Sequence, residues 1–486
     1  MHRLAKASQL SIPAFALSLL SASCVLASSN LPAASYPSVG LVARSTAALV
    51  NWETGLTQDQ EGKATAADQQ ADNLAQIAAN AQNAKDFEMA LESWERLCRE
   101  YPASKHLPKA ELNAGICAAQ LKKFEAAIPH FQAALKSLPA EESEGRATGH
   151  LFLGFSQLEH GGDLIAGGQT EAGRQLLTTA TQVFANQLEQ YPKYGDNDQA
   201  AYFQGLAFEQ LGRLPEAAAA YARMGQYPKQ AFRFPGLFAL ANVNEQLGKF
   251  DLALRHYEEF LAAAAKEPTA PAELTEVRLR TAETLWQLAL GAQNKGEQSE
   301  SQRLTVESLR QLETVLQDQS FASRDEALFR LGLIQSQLGD HTAAAKAFFE
   351  VASLPNTPRG PQATLFTGRE LLAAKSYAEA DKWFTAAVES KGKYSAEALL
   401  ATVAGTPWEA ELLADRAEAA WQQQADLELR KRAPELYLVA VNKGAGSRIA
   451  ESALYNAAFA QLELRNLNEA IRLCARYEQD FPKGAF

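Results

Sequence analysis

From about residue 71 to 482 the apolar side chains return at the three- and four-residue spacing of amphipathic helices. A longer period lies on top of that one. In LFRLGLIQSQLGDHTAAAKAFFEVASLP (Leu328 to Pro355) the Leu331-Gly332 step is followed twelve residues later by Ala344, then by Phe348 and Pro355. The same register carries Gly205 to Ala217, Tyr221 and Pro228, and Gly115 to Ala127, Phe131 and Pro139. It carries Ala241 to Ala253, Tyr257 and Phe260, and Gly368 to Ala380 and Phe384. Ala78 leads in the same way to Ala90, Trp94 and Pro102, and Ala458 to Ala470, Cys474 and Pro482.

The spacing has a packing reason. Each unit reads as two helices joined by a tight turn, which Gly212, Gly248 and Gly339 mark in three units. Where two helices cross closely, a side chain larger than methyl would push the axes apart, so Ala90, Ala127, Ala217, Ala253, Ala344, Ala380 and Ala470 are expected at crossings. The aromatic four residues on shares the alanine's face and is expected to fill the gap toward the next unit. The proline stops the second helix. One hairpin cannot bury its apolar stripe alone, whereas a stack of them can.

This pattern resembles the tetratricopeptide repeat, a unit of about 34 residues. Seven units are in register, and three more are degenerate. In the unit of Leu153-Gly154, the stretch HGGDLIAGGQTEAGR intervenes before Ala180, Phe184 and Pro192. Its glycines 161, 162, 167 and 168 are expected to form a flexible turn. The units around 273–318 and 407–442 keep helical periodicity but few signature residues. The implied fold is all-α, a right-handed α-solenoid of stacked helix-turn-helix units. The expected organisation is a leader at 1–27 and a tether with lead-in helix at 28–70. A first subarray of five units at 71–265 and a break at 266–272 then precede a second subarray at 273–486, which is expected to continue beyond the end.

In this family the first helix of each unit lines a concave groove, and its fifth position points inward. The resemblance therefore implies groove roles for Leu112, Leu151, Tyr202, Phe238, Phe329, Leu365 and Tyr455. Gln120, Gln210, Gln246 and Gln337 stand nearby at the thirteenth position, with Glu209 and Glu245 at the twelfth. An apolar stripe flanked by amides suits a partner that offers side chains to pockets and backbone groups to hydrogen-bond. The same fifth-position residues also serve as structural packing in the family. Relatives that capture a C-terminal carboxylate use lysines and asparagines in the groove; here Asn242 is isolated, so that mode is disfavoured.

Charge and composition narrow the partner class. The 486 residues are 47% hydrophobic and 21% charged, with a formal net charge of -11. Such a chain is ordered rather than disordered, and it lacks the basic footprint that nucleic acid or anionic lipid requires. MHRLAKASQLSIPAFALSLLSASCVLASSN has a positive start at Arg3 and Lys6 and an apolar run from Ile12 to Leu26. Val25-Leu26-Ala27 then fits a signal-peptidase cut after Ala27, so export is expected. A lipid anchor at Cys24 and a retained membrane anchor are the alternatives. After export three cysteines would remain, Cys98, Cys117 and Cys474, read as core residues or as a Cys98–Cys117 pair.

Catalytic signatures do not assemble. Gly291 to Gly296 has the glycine spacing of a phosphate loop, but Glu297 stands where lysine is needed. The seven histidines form no zinc-binding pair at helical spacing, and the adjacent acids Glu141-Glu142 and Glu258-Glu259 point in different directions on a helix. No enzyme, cofactor or metal site is expected. The leading expectation is an exported scaffold in the periplasm or cell envelope that binds protein or peptide partners. The alternatives are the superhelical, non-catalytic region of a larger envelope enzyme such as a lytic transglycosylase, or a scaffold that self-assembles.

Overall fold

The computed structural model describes residues 66–227, 231–354, 357–389 and 408–486. The leader, Cys24, the tether up to residue 65, and Pro228 and Pro355, which were expected to stop helices, lie outside the described residues. The described chain is all-α, a solenoid of helical hairpins without a strand among the described residues. It divides after Val277 into two compact bodies.

The N-terminal body holds five hairpins. These are α1 (Ala66–Asn83) with α2 (Phe87–Glu100), α3 (Leu107–Gln120) with α4 (Phe124–Ser137), and α5 (Ser143–Ala166) with α6 (Thr170–Gln190). There follow α7 (Asn197–Gln210) with α8 (Leu214–Arg223), and α9 (Arg233–Gln246) with α10 (Phe250–Ala264). The division falls within α11 (Leu274–Asn294), and the expected break at 266–272 is part of the connection leading into that helix. In the C-terminal body, α11 pairs with α12 (Gln298–Leu316), α13 (Arg324–Gln337) with α14 (His341–Ser353), and α15 (Gly360–Ala373) with α16 (Tyr377–Glu389). Then α17 (Trp408–Trp421) pairs with α18 (Leu427–Lys443), and α19 (Arg448–Glu463) with α20 (Leu467–Asp480). Both stretches with few signature residues thus fold as hairpins, because helical periodicity alone suffices to bury a stripe.

The turn inside a unit is set by one left-handed residue. Gly212, Gly248 and Gly339 have φ of 75°, 70° and 79°, which glycine adopts without a Cβ clash. At the first of these, Gly212 N–H donates to the Glu209 carbonyl at 2.9 Å and Arg213 N–H to that of Phe208 at 2.8 Å, satisfying the open carbonyls of the helix end. Lys85, Lys122, Lys375 and Arg465 occupy the same turn in other units with φ of 58° to 66°. Their units carry no glycine marker, so the sequence did not flag these turns.

The crossing alanines are all interior: six are fully buried and Ala470 is 5% exposed. The aromatic four residues on has a different first contact from the one its spacing suggests. It lies on the glycine of its own unit's first helix, where a Cβ at Gly332 would sit 2.7–2.9 Å from the Phe348 ring. Gly115 with Phe131, Gly205 with Tyr221 and Gly368 with Phe384 repeat that contact. The ring then reaches the next unit as well, with Phe348 5.3 Å from Phe366 and Phe131 6.0 Å from Phe152. Glycine is needed here because the ring takes the volume of a side chain.

The insertion is mostly helical rather than a turn. It lengthens α5 to 24 residues and α6 to 21, and Gly161 and Gly162 lie within α5. Gly161 faces Gly173 so closely that a Cβ on Gly173 would meet the Gly161 carbonyl at 2.5 Å. Only Gly167 and Gly168 form the turn, with Gly168 at φ 84°.

Candidate functional site

The fifth-position residues are mostly core. Leu112, Leu151, Tyr202, Phe329 and Leu365 are between 1% and 7% exposed, which leaves a partner almost nothing to touch. Tyr202 packs against Tyr221 of its own unit at 5.8 Å and Phe232, leading into the next, at 5.2 Å. Phe329 lies between Phe348 and Phe366 at 5.3 and 5.8 Å. The physical reason is that successive first helices pack side by side, so this register faces the joint between units. Phe238 and Tyr455 are half-buried, on Tyr257 at 6.3 Å and Phe486 at 4.6 Å respectively.

The amide row divides between the two bodies. In the N-terminal body Gln120 is half-buried while Gln210 and Gln246 are exposed, at equivalent turns of α3, α7 and α9. A Cβ on Gly162 of the lengthened α5 would lie 3.6 Å from Gln210 Oε1, so that helix runs beside the row. At the same register of α5, burial and the nearby Asp163 carboxylate push Glu159 up to about 6. In the C-terminal body Gln337 is engaged internally: it accepts from Trp286 Nε1 at 2.9 Å and donates to Gln293 at 2.8 Å.

Glu209 and Glu245 serve the core aromatics. Tyr221 donates its hydroxyl to Glu209 at 2.9 Å, and the Tyr257 hydroxyl lies 3.0 Å from Glu245 and 2.5 Å from Asn242 Oδ1. Trp94 donates to Gln82 at 2.8 Å in the same way. Each polar partner stands twelve residues before its aromatic. Phe131, Phe348 and Phe384, which have no polar atom to satisfy, have Ala119, Ser336 and Leu372 there instead. This covariation within one chain was a readable signal: a buried ring carrying N–H or O–H needs a partner at the one spot its own hairpin supplies.

A second recurring device escaped the sequence pattern. An acid in the first turns of a first helix holds the chain about 34 residues later, as it enters the next unit. Asp72 pairs with His106 and, at 3.3 Å, with Lys105. Asp198 accepts from the Phe232 N–H at 3.4 Å, and Asp325 from Thr357 at 2.7 Å and Arg359 at 3.3 Å. These carboxylates replace hydrogen bonds that a turn between helices otherwise leaves open.

These surfaces present amides and packed apolar side chains. Burial pushes the Cys98 and Cys117 thiols up to about 12, away from the reactive thiolate. They are not bridged: Cys98 lies against Glu111, six residues before Cys117 on α3, about 9 Å along the axis and beyond disulfide reach. Among the described residues, no group of three or more His, Cys, Asp or Glu is placed to hold a metal ion.

Comparison with known proteins supports the same reading of the repeat. One tetratricopeptide repeat model matches residues 76–142, 158–231 and 307–356, and a second matches 452–484. No curated protein matches the chain. Among solved structures, the C-terminal part of a TPR repeat-containing protein from Cytophaga hutchinsonii is similar at 16% identity and a TM-score of 0.40, over 58% of this chain and 96% of that one. A thermophilic TPR protein of Thermus thermophilus is similar at 19% identity and a TM-score of 0.31, over 44% and 98%. A tetratricopeptide repeat protein of Parabacteroides merdae is similar at 14% identity and a TM-score of 0.36, over 62% and 99%. With the glycine–aromatic contact repeating along its stacked hairpins and the repeat models matching in both bodies, the chain belongs to the tetratricopeptide repeat family.

Proposed function

We propose that this protein is an exported scaffold that binds protein segments along the amide row of its N-terminal body. A tetratricopeptide array is a protein-interaction scaffold, and the row gives that general role a location. One observation carries the reading: Gln210 and Gln246 recur at one register and stay exposed, while of the apolar fifth positions beside them Tyr202 closes into the core and Phe238 is half-buried. Amides that both donate and accept suit the backbone of an extended partner segment. The leader at 1–27 supports export, and with it a role in the cell envelope.

The test uses the mature chain as bait in envelope extract from its own cells. A Gln210→Ala, Gln246→Ala double variant is expected to lose at least one partner several-fold, with its melting temperature unchanged because both sites are exposed. An unchanged capture profile refutes the row. N-terminal sequencing of the exported protein is expected to start at Ser28; an intact Met1 on protein confined to the cytosol refutes export.

A further inference from the structure

We infer that the amide row of the N-terminal body selects partner segments carrying a lysine or arginine, whose cationic side chain the Glu159 carboxylate receives. The inference rests on that row being the binding surface. The thirteenth register of α3, α5, α7 and α9 reads Gln120, Glu159, Gln210 and Gln246, so one carboxylate interrupts the amides. The twelfth reads Ala119, Leu158, Glu209 and Glu245. Together these positions hold three carboxylates and no lysine or arginine.

The three carboxylates are not equivalent. Glu209 and Glu245 serve the fold, accepting from the Tyr221 and Tyr257 hydroxyls. Glu159 is half-buried, yet among the described residues it makes no hydrogen bond or ion pair. The ring of its own unit, Phe184, has no polar atom for it to satisfy. Burial and the Asp163 carboxylate, one turn further along α5, both work against its negative charge, and Lys122 of the preceding unit offsets this only from beyond ion-pair distance. A carboxylate held in that state destabilises the folded chain, and an arriving ammonium or guanidinium group relieves it.

Gly162 supplies an independent observation. It lies one turn from Glu159 on the same side of α5 and beside Gln210, where a Cβ would meet only Gln210 Oε1, at an ordinary 3.6 Å. Packing does not demand glycine here, in contrast to Gly154 against Phe184 and Gly161 against Gly173 in the same helix. Glycine is nonetheless unfavourable inside a helix. Its effect is a gap in the side-chain cover of α5, next to both Glu159 and Gln210. A long cationic side chain can lie in that gap with its apolar stem on the helix and its head on Glu159, while its backbone meets the amides.

Charge also decides the occupant. A second copy of this chain brings a formal net charge of -11 and the same acidic row, so it is repelled, whereas a basic segment is steered in.

The test is selection of a phage-displayed random peptide library on the mature chain, on Glu159→Gln, on Glu159→Lys and on the Gln210→Ala, Gln246→Ala double variant. Peptides that need Gln210 and Gln246 are expected to carry lysine or arginine at one position, enriched several-fold over the library. Glu159→Gln is expected to abolish that enrichment without lowering the melting temperature, and Glu159→Lys to exchange it for aspartate or glutamate. Glu159→Gln preserves the side chain's shape, so it decides the question independently of how Glu159→Lys folds. Row-dependent peptides without a basic preference, or with one that survives Glu159→Gln, overturn the inference and leave the row standing. If no peptide depends on Gln210 and Gln246, the row is refuted and the inference with it. Sedimentation showing wild type self-associated and the double variant monomeric makes a second copy the occupant, which also overturns the inference.

Discussion

Gly332→Ala and Gly291→Ala are the same substitution in helices of the same body, and they are expected to have opposite signs. In an exposed helix, alanine is favoured over glycine by about 1 kcal/mol, because glycine loses more backbone freedom on folding. At Gly291 a Cβ meets nothing within 4 Å, so that gain is kept and the variant is expected to be about 0.5–1 kcal/mol more stable. At Gly332 the Cβ lands 2.7 Å from Phe348 Cε1, well inside contact distance. The ring has nowhere to go: it is 1% exposed, with Phe329 and Phe366 each 5.3 Å away. Overpacking typically costs about 1–3 kcal/mol, and set against the helix gain this leaves a net loss of up to about 2 kcal/mol, since the enclosed ring cannot yield. Urea denaturation followed by circular dichroism measures both variants against wild type. Combining Gly332→Ala with Phe348→Leu removes the obstructing ring, so the alanine is expected to cost less in that background, a coupling the double-mutant cycle reads directly. If Gly332→Ala is as stable as wild type, or if the two variants lose equally, the glycine–aromatic contact is not what demands glycine.

Two further outcomes test the polar interior. His130 sits between Glu111, 2.6 Å from its Nδ1, and Glu95, 3.6 Å from its Nε2, with the Cys98 thiol also against Glu111. The Glu111 hydrogen bond raises its pKa, so this clamp is fully present below the unfolded histidine value of about 6.5 and is lost as pH rises through the higher folded value. An NMR titration is expected to place His130 above that value and Glu111→Gln to lower it, with the destabilisation by that variant larger at about pH 6 than at about pH 9; titration at the ordinary value refutes the clamp. Gln82→Leu leaves the buried Trp94 N–H without its 2.8 Å acceptor and is expected to cost about 1–3 kcal/mol in thermal or urea unfolding, whereas Gln76→Leu on the exposed face of the same helix is expected to cost little.

How much of the site was legible follows from what a residue's neighbours are. The amides of the thirteenth register were visible as a pattern, yet Gln210 and Gln337 carry the same side chain to opposite fates. One stays at the surface of α7, while the other is taken up by Trp286 and Gln293 from α11, 44 to 51 residues away. Tyr202 and Tyr455 likewise share a register, but Tyr202 is buried against Phe232 of the chain entering the following unit, while Tyr455 is half-buried with Phe486 stacked on it. The acid latches were missed because their partners are 32 to 34 residues distant and include a backbone N–H as well as side chains.

What the sequence determined by itself is the hairpin and its repetition: a small residue, an alanine twelve positions on and a ring four positions later are local constraints, met within one pair of helices. The insertion was visible as an interruption of the register, but that Gly161 and Gly162 are helical was not. For Trp94, Tyr221 and Tyr257 the polar partner of the ring was also written locally, twelve residues earlier, whereas Trp286 finds its partner 51 residues away. The tertiary structure alone decided which positions of that repeated surface remain open, because closure depends on the unit stacked next to each one. Burial belongs to pairs of units, and a periodic sequence specifies the unit more completely than it specifies the joint.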